Sequence, residues 1–249
     1  MRGTSFEKDY SIHYYETGKD QKLNISSLLC FFEEMALLQS ESKQVGLDYY
    51  TKHKVAWMLY QFDIRLHNPP QFLQNIKVVT QPSGFFRFFG YRYFHVFDQQ
   101  NNELITAHSS WLFVNTENKR PTKIHDDITL AYGLPLNNDT KEDFEPIPEF
   151  KECQYQKEFQ VRYSDIDFNK HVNNVKYVEW AMEAIPVEVH EAYTLKRIQV
   201  MFKKENHYGM KITSQVQLET NENGLLCKHR ILDKQDNESC ILASYWEKD

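Results

Sequence analysis

An α+β protein of two tandem units, each an antiparallel sheet wrapped over one central helix, is predicted by three observations. The chain has 249 residues, enough for one large domain or two of ordinary size. Displacing its N-terminal part by 149 positions lays Tyr10-Ser11-Ile12-His13-Tyr14 over Phe159-Gln160-Val161-Arg162-Tyr163. The same shift pairs Lys8 with Lys157, Glu16 with Asp165, Leu23 with Val172, Asn24 with Asn173, Phe31 with Trp180 and Glu34 with Glu183, the mark of a diverged repeat. Within each repeat a single helical stripe precedes a series of strand patterns.

The elements follow in order. Ile25, Leu28, Leu29, Phe32, Met35 and Ala36 recur at helical steps in the first half, as do Val175, Val178, Ala181, Met182 and Ile185 in the second, so each helix has one face to bury. Strands are expected at Trp57 to Leu66, Ile76 to Gln81, Phe85 to Phe97 and Leu104 to Asn115, then at Arg197 to Lys204, Lys211 to Glu219, Leu225 to Leu232 and Cys240 to Trp246. Asp98-Gln99-Gln100-Asn101-Asn102 and Asn221-Glu222-Asn223-Gly224 read as hairpin turns, and Asn68-Pro69-Pro70 is another break. Tyr132 to Glu152 carries three prolines and an acidic run, which marks a linker. The expected units are therefore 1–135 and 153–249, joined by 136–152, forming a pseudo-dimer within one chain.

Composition limits the function. With 41% hydrophobic and 26% charged residues the chain is globular rather than disordered. The 17 Phe and 15 Tyr favour strands and large cores, and such residues also line apolar ligand tunnels. A net charge of −6 argues against a general nucleic-acid binder. No apolar run is long enough for a membrane span, and Met1 to Phe6 lack the apolar core of a signal peptide, so a cytoplasmic location is expected. Cys30, Cys153, Cys227 and Cys240 are far apart and show no metal-binding spacing; neither a metal nor another cofactor is expected.

Before the second helix runs Arg162-Tyr163-Ser164-Asp165-Ile166-Asp167-Phe168-Asn169-Lys170-His171-Val172-Asn173-Asn174. Asp167, Asn169 and His171 alternate, so in an extended stretch a carboxylate, an amide and an imidazole would point to one side. Those groups can accept, position and relay a proton, which makes a candidate hydrolytic site. Asp and Asn ahead of a helix are also ordinary turn and capping residues, and the flanking sequence weighs against that explanation alone.

That segment, with Tyr177 and Trp180 after it, resembles the acyl-acyl-carrier-protein thioesterase family of plants and bacteria. Glu33-Glu34-Met35-Ala36, Val55-Ala56-Trp57, Ser109-Ser110-Trp111 and Lys119 to Ile124 extend the likeness over nearly the full length. The resemblance implies a double hot-dog fold and a hydrolase that releases fatty acid from acyl carrier protein, ending fatty acid synthesis. Its partner would be acyl carrier protein bearing a phosphopantetheine-linked acyl chain, with monomer and homodimer both open. The catalytic positions implied are Asp167, Asn169, His171 and Glu205, the last on the strand after the helix. The family carries Cys after that Glu; here the residue is Asn206, so a covalent cysteine route is not expected. The first repeat has Gly18, Asp20 and Lys22 at the catalytic positions and should be silent, shaping the acyl pocket instead.

Thioester hydrolysis then needs a water activated by Glu205 or Asp167, with His171 relaying and Asn169 orienting. The carbonyl oxygen would be held by N–H groups of the helix beginning near Val172. Direct attack by Asp167 stays open. Asn173, Asn174, Trp57, Phe85 and Trp111 are candidates for substrate contact, with Met58 and Phe86 as further tunnel linings, although core packing is the ordinary role of such aromatics. Lys196, Arg197, Lys203 and Lys204 form a basic concentration that could dock an acidic carrier protein. His207 could share the face of Glu205 or simply flank a turn. The alternatives are an acyl-coenzyme A thioesterase of the hot-dog superfamily and a non-catalytic acyl-binding protein.

Overall fold

Asn24 starts the first long helix by accepting the Ser27 N–H on its side-chain oxygen at 2.7 Å, which satisfies one of the free amides at a helix start. In the computed structural model, which describes residues 2–137, 139–167, 170–222 and 224–248, the chain forms two units. One comprises Met1–Tyr60 with His67–Phe144, the other Gln61–Leu66 with Glu145–Asp249.

The first unit holds β1 (Phe6–Ser11), α1 (Ile25–Ser42), α2 (Leu47–His53), most of β2 (Val55–Leu66), β3 (Asn75–Phe86), β4 (Phe89–Asp98), β5 (Glu103–Asn115), β6 (Arg120–Pro121) and α3 (Asp126–Ala131). Its sheet runs β1-β3-β4-β5-β2, with β6 added to β5. The predicted stripe of α1 is the buried one: Leu28, Leu29, Phe32 and Met35 are at most 1% exposed. Each such side chain contributes roughly 1.5–3 kcal/mol. Phe32 stacks on Phe94 of β4 with centroids 4.5 Å apart. The buried Arg92 donates to Gln39 and Thr80 and lies over the Tyr132 ring. Burial lowers its pKa.

The second unit holds β7 (Tyr155–Gln160), α4 (Asn174–Glu183), α5 (Val187–Ala192), β8 (Tyr193–Phe202), β9 (Lys211–Asn221), β10 (Gly224–Asp233) and β11 (Glu238–Lys248). The Gln61–Arg65 part of β2 pairs antiparallel with β8, and the order continues β8-β11-β10-β9-β7. Helix α4 lies on β9, β10 and β11, burying Val175, Tyr177, Val178, Trp180 and Ala181.

Several expectations need correcting. The expected strand from Phe85 to Phe97 is broken at Arg87, whose φ of 57° turns the chain from β3 into β4. No Gly, Asn or Pro marks that turn. The second helix begins at Asn174, two residues past Val172, and β8 ends at Phe202, so Glu205 lies on a loop rather than on the strand. Helices α2, α3 and α5 were not anticipated, being too short to show a stripe. The Asp98 turn forms as read, with its carboxylate accepting the Gln100 and Asn102 N–H groups at 2.9 and 2.8 Å. Asn223 of the other turn lies outside the described residues. No described helix is long and apolar enough to cross a membrane.

The repeat is visible bond by bond. The Lys8–Glu34 ion pair recurs as Lys157–Glu183, and the Tyr10–Phe31 stack as Phe159–Trp180. The His13 N–H bond to Glu16 recurs as Arg162 to Asp165. The Thr17–Leu23 bridge matches Ile166–Val172.

Candidate active site

The segment expected to be extended is a tight turn. The Asp167 N–H donates to the His171 carbonyl at 2.9 Å, and the Lys170 N–H to the Asp167 carbonyl at 3.0 Å. Lys170 takes the left-handed conformation at φ 67°. The Asp167 carboxylate accepts the His171 N–H at 3.3 Å, so the turn itself holds Asp167 and His171 together, in place of strand alternation. Asn169 lies outside the described residues.

The loop after β8 supplies the other half of the site. Glu205 Oε2 is 3.0 Å from His171 Nε2, with the two side chains 30% and 27% exposed. They are shielded enough to strengthen the pair yet open to a substrate. The His207 ring lies 5.3 Å from that of His171. His207 is exposed, and its N–H rests on Met210 Sδ at 3.3 Å.

The loop is anchored by Asn206, which is fully buried. Its carbonyl accepts the Val172 N–H at 3.1 Å. Its own N–H and side-chain Nδ2 both donate to the Tyr177 hydroxyl of α4, at 3.0 and 3.2 Å. Sequence reasoning missed this role for Tyr177. The available signal was a tyrosine inside an apolar stripe, whose hydroxyl must find a partner when buried.

The helix N-terminus is less open than expected. Val172 N–H goes to Asn206, Asn173 N–H to the Asp165 carbonyl, Lys176 N–H to the Asn173 carbonyl and Val175 N–H to the Asn173 side chain. Asn173 is thus the cap of α4, with its side-chain oxygen engaged by the helix. The Asn174 N–H is the one amide of this run with no acceptor among the described residues.

The expected docking cations already have acidic partners. Lys196 meets Glu247 at 3.6 Å, Lys203 meets Glu238 at 2.6 Å and Lys204 meets Asp233 at 2.6 Å. Arg197 forks onto Asp63 at 2.8 and 2.5 Å and also meets Glu145 at 2.7 Å. Trp57 and Phe85 pack with Phe113, Ile128 and Tyr132 in an apolar cluster of the first unit. Trp111 is half-buried and donates its indole N–H to Ser109 at 2.8 Å. Met58 is exposed, and Phe86 lies half-buried beneath the Arg87 guanidinium. The two buried cysteines are not activated nucleophiles: burial pushes the Cys227 thiol up to about 12 and raises Cys240 well above its usual value.

The same turn exists in the first unit with different side chains. Gly18 N–H meets the Lys22 carbonyl at 2.9 Å, Gln21 N–H meets the Gly18 carbonyl at 3.0 Å, and Gln21 has φ 63°. Gly18, Asp20 and Lys22 occupy the places of Asp167, Asn169 and His171. The backbone bonds are duplicated and the side chains on them differ.

The chain matches two family models, the acyl-ACP thioesterase N-terminal domain over residues 3–132 and the C-terminal domain over residues 149–248. It is similar to a chloroplastic acyl-[acyl-carrier-protein] hydrolase of Cuphea viscosissima, 27% identical over 216 residues, which cover 82% of this chain and 52% of that protein. The chain spans about half the length of the first curated relatives it matches. Among solved structures, a Lactobacillus plantarum protein assigned as an oleoyl thioesterase superposes with TM-score 0.93 at 22% identity, covering 99% of this chain and 97% of that one. The 12:0-ACP thioesterase of Umbellularia californica superposes with TM-score 0.86 at 21% identity, covering 98% and 94%. These likenesses show the fold, a double hot-dog. With both halves matched in order, the chain belongs to the acyl-ACP thioesterase family.

Proposed function

We propose that the protein hydrolyses the thioester between a fatty acyl chain and acyl carrier protein, releasing the free acid and the carrier's thiol. The observation that carries this reading is the 3.0 Å His171–Glu205 pair on a turn shared with Asp167, in a chain of this family.

The pair suggests a division of labour. With Glu205 accepting the Nε2 proton of a neutral His171, Nδ1 keeps a lone pair and becomes the base. Water loses a proton to His171 Nδ1 as its oxygen bonds to the acyl carbon. The C–S bond then breaks, and the proton passes to the departing thiolate. Asp167 is given a positioning role, because its carboxylate holds the His171 backbone. Asn169 keeps its proposed role of orienting water. The Asn174 N–H is the candidate holder of the oxyanion, a contact worth roughly 3–4 kcal/mol when well placed. The N-terminal repeat, expected at 1–135, serves as the silent half that shapes the acyl pocket, a reading supported by Gly18, Asp20 and Lys22 at the positions of Asp167, Asn169 and His171.

The test is thiol release from a panel of acyl-carrier-protein and acyl-coenzyme A substrates of varied chain length. His171→Ala and Glu205→Gln should each lower kcat by roughly 10²–10⁴-fold with the fold intact. Folded variants that turn over like the parent would remove the site. Faster release from coenzyme A would instead reassign the carrier.

A further inference from the structure

One hydroxyl grips the backbone on both sides of Glu205. Tyr177 Oη accepts the Asn206 N–H at 3.0 Å and donates to the Lys204 carbonyl at 3.4 Å, and Lys204 and Asn206 are the immediate neighbours of Glu205. The Asn206 amide adds a second bond to the same oxygen at 3.2 Å. From the other side, the Asn206 carbonyl takes the N–H of Val172, the residue after His171. We infer that Tyr177 is a positioning residue, which through Asn206 sets the distance and angle at which Glu205 meets His171.

The duplicated fold separates this role from a purely structural one. In the first unit the corresponding turn closes in the same way, and Leu23, the counterpart of Val172, donates to the Pro70 carbonyl at 2.8 Å. At the places of Tyr177 and Asn206 the first unit has Leu28 and Pro70. A leucine and a proline suffice to build the turn and its closing bond. The hydroxyl–amide clasp occurs in the unit whose turn carries His171.

The clasp is also costly to bury. Tyr177 is 2% exposed and Asn206 fully buried, and burial raises the Tyr177 pKa, so its hydroxyl remains a neutral donor and acceptor. The Asn206 Oδ1 atom is buried with no donor among the described residues. A polar residue left partly unsatisfied destabilises a fold, and such exceptions belong to functional sites more than to frameworks.

This inference rests on the proposed thioesterase reading, and the experiment separates the two. Tyr177→Phe keeps the ring and removes the hydroxyl. With the fastest acyl-carrier-protein substrate of the panel, kcat should fall about 10²-fold, the scale of a misplaced catalytic group, while KM changes less than about twofold. The kcat–pH profile should shift, because the His171–Glu205 contact is loosened. The double variant Tyr177→Phe with Asn206→Ala should be no slower than the slower single variant, as expected of two groups acting through one contact. A folded Tyr177→Phe protein with parental kcat and pH profile, or additive losses in the double variant, overturns the inference. Should Tyr177→Phe fail to fold, Asn206→Ala decides by the same kcat and pH criteria. His171→Ala and Glu205→Gln run alongside: their full activity would sink the thioesterase reading, whereas their inactivity beside an unimpaired Tyr177→Phe sinks the clasp alone.

Discussion

His229 shows how one side chain can couple folding to pH away from the proposed active site. It lies inside the second unit with Nε2 2.9 Å from the Ser244 hydroxyl, which also accepts the Trp246 indole N–H at 2.9 Å. Burial lowers its pKa from 6.5 to about 3. Between those values the unfolded chain binds a proton that the folded chain refuses, so this contribution to stability is complete above about pH 6.5 and is lost as pH falls toward about 3. The slope reaches about 1.4 kcal/mol per pH unit. Urea melts at pH 7 and pH 5 should therefore show the parent losing about 2 kcal/mol more than His229→Gln. Equal losses would show that the imidazole titrates normally. At the same scale, Asp167 and His171 were readable as candidates from residue type and spacing, whereas Glu205 was reached through the family resemblance alone. The task of Tyr177 was not readable, because it depends on a loop 27 residues later in the chain.

Among the elements, the best-read were those with a strong period. Helix α1 and the long strands were legible because their apolar residues repeat over ten or more positions. The β3–β4 junction was not, since Phe85 to Phe89 contains no residue that prefers a turn and Arg87 adopts its left-handed φ under tertiary constraint. Gly90, early in β4, is explained only by its neighbours. A Cβ there would lie 2.9 Å from the Trp57 ring and 3.0 Å from that of Phe85. These rings sit in a packed cluster and cannot swing clear, so Gly90→Ala should cost about 1–3 kcal/mol without touching the proposed site. The check is a urea melt beside a kcat measurement: lower stability with unchanged kcat is expected, and unchanged stability would mean the cluster is loosely packed.

Over the whole molecule, the two units follow one plan and differ in what the plan carries. Paired turns, caps and ion pairs recur position by position, yet the second unit brings His171 to Glu205 while the first has Lys22 and, beside Pro70, Pro69. Asp20→Ala and Lys22→Ala should accordingly leave kcat within about twofold, whereas substitutions at His171 remove it. A large kcat loss in either first-unit variant would make that turn a participant. The sequence by itself determined the repeat, the helix-then-strands order of each unit and the residues able to do acid–base chemistry, because periodicity and residue type are local properties. Only the tertiary structure decided that Asp167 holds a turn, that Arg197 and the three lysines sit beside carboxylates, and that Tyr177 reaches the backbone on either side of Glu205. Those outcomes depend on which distant segments packing brings within hydrogen-bond reach, and no local pattern encodes that.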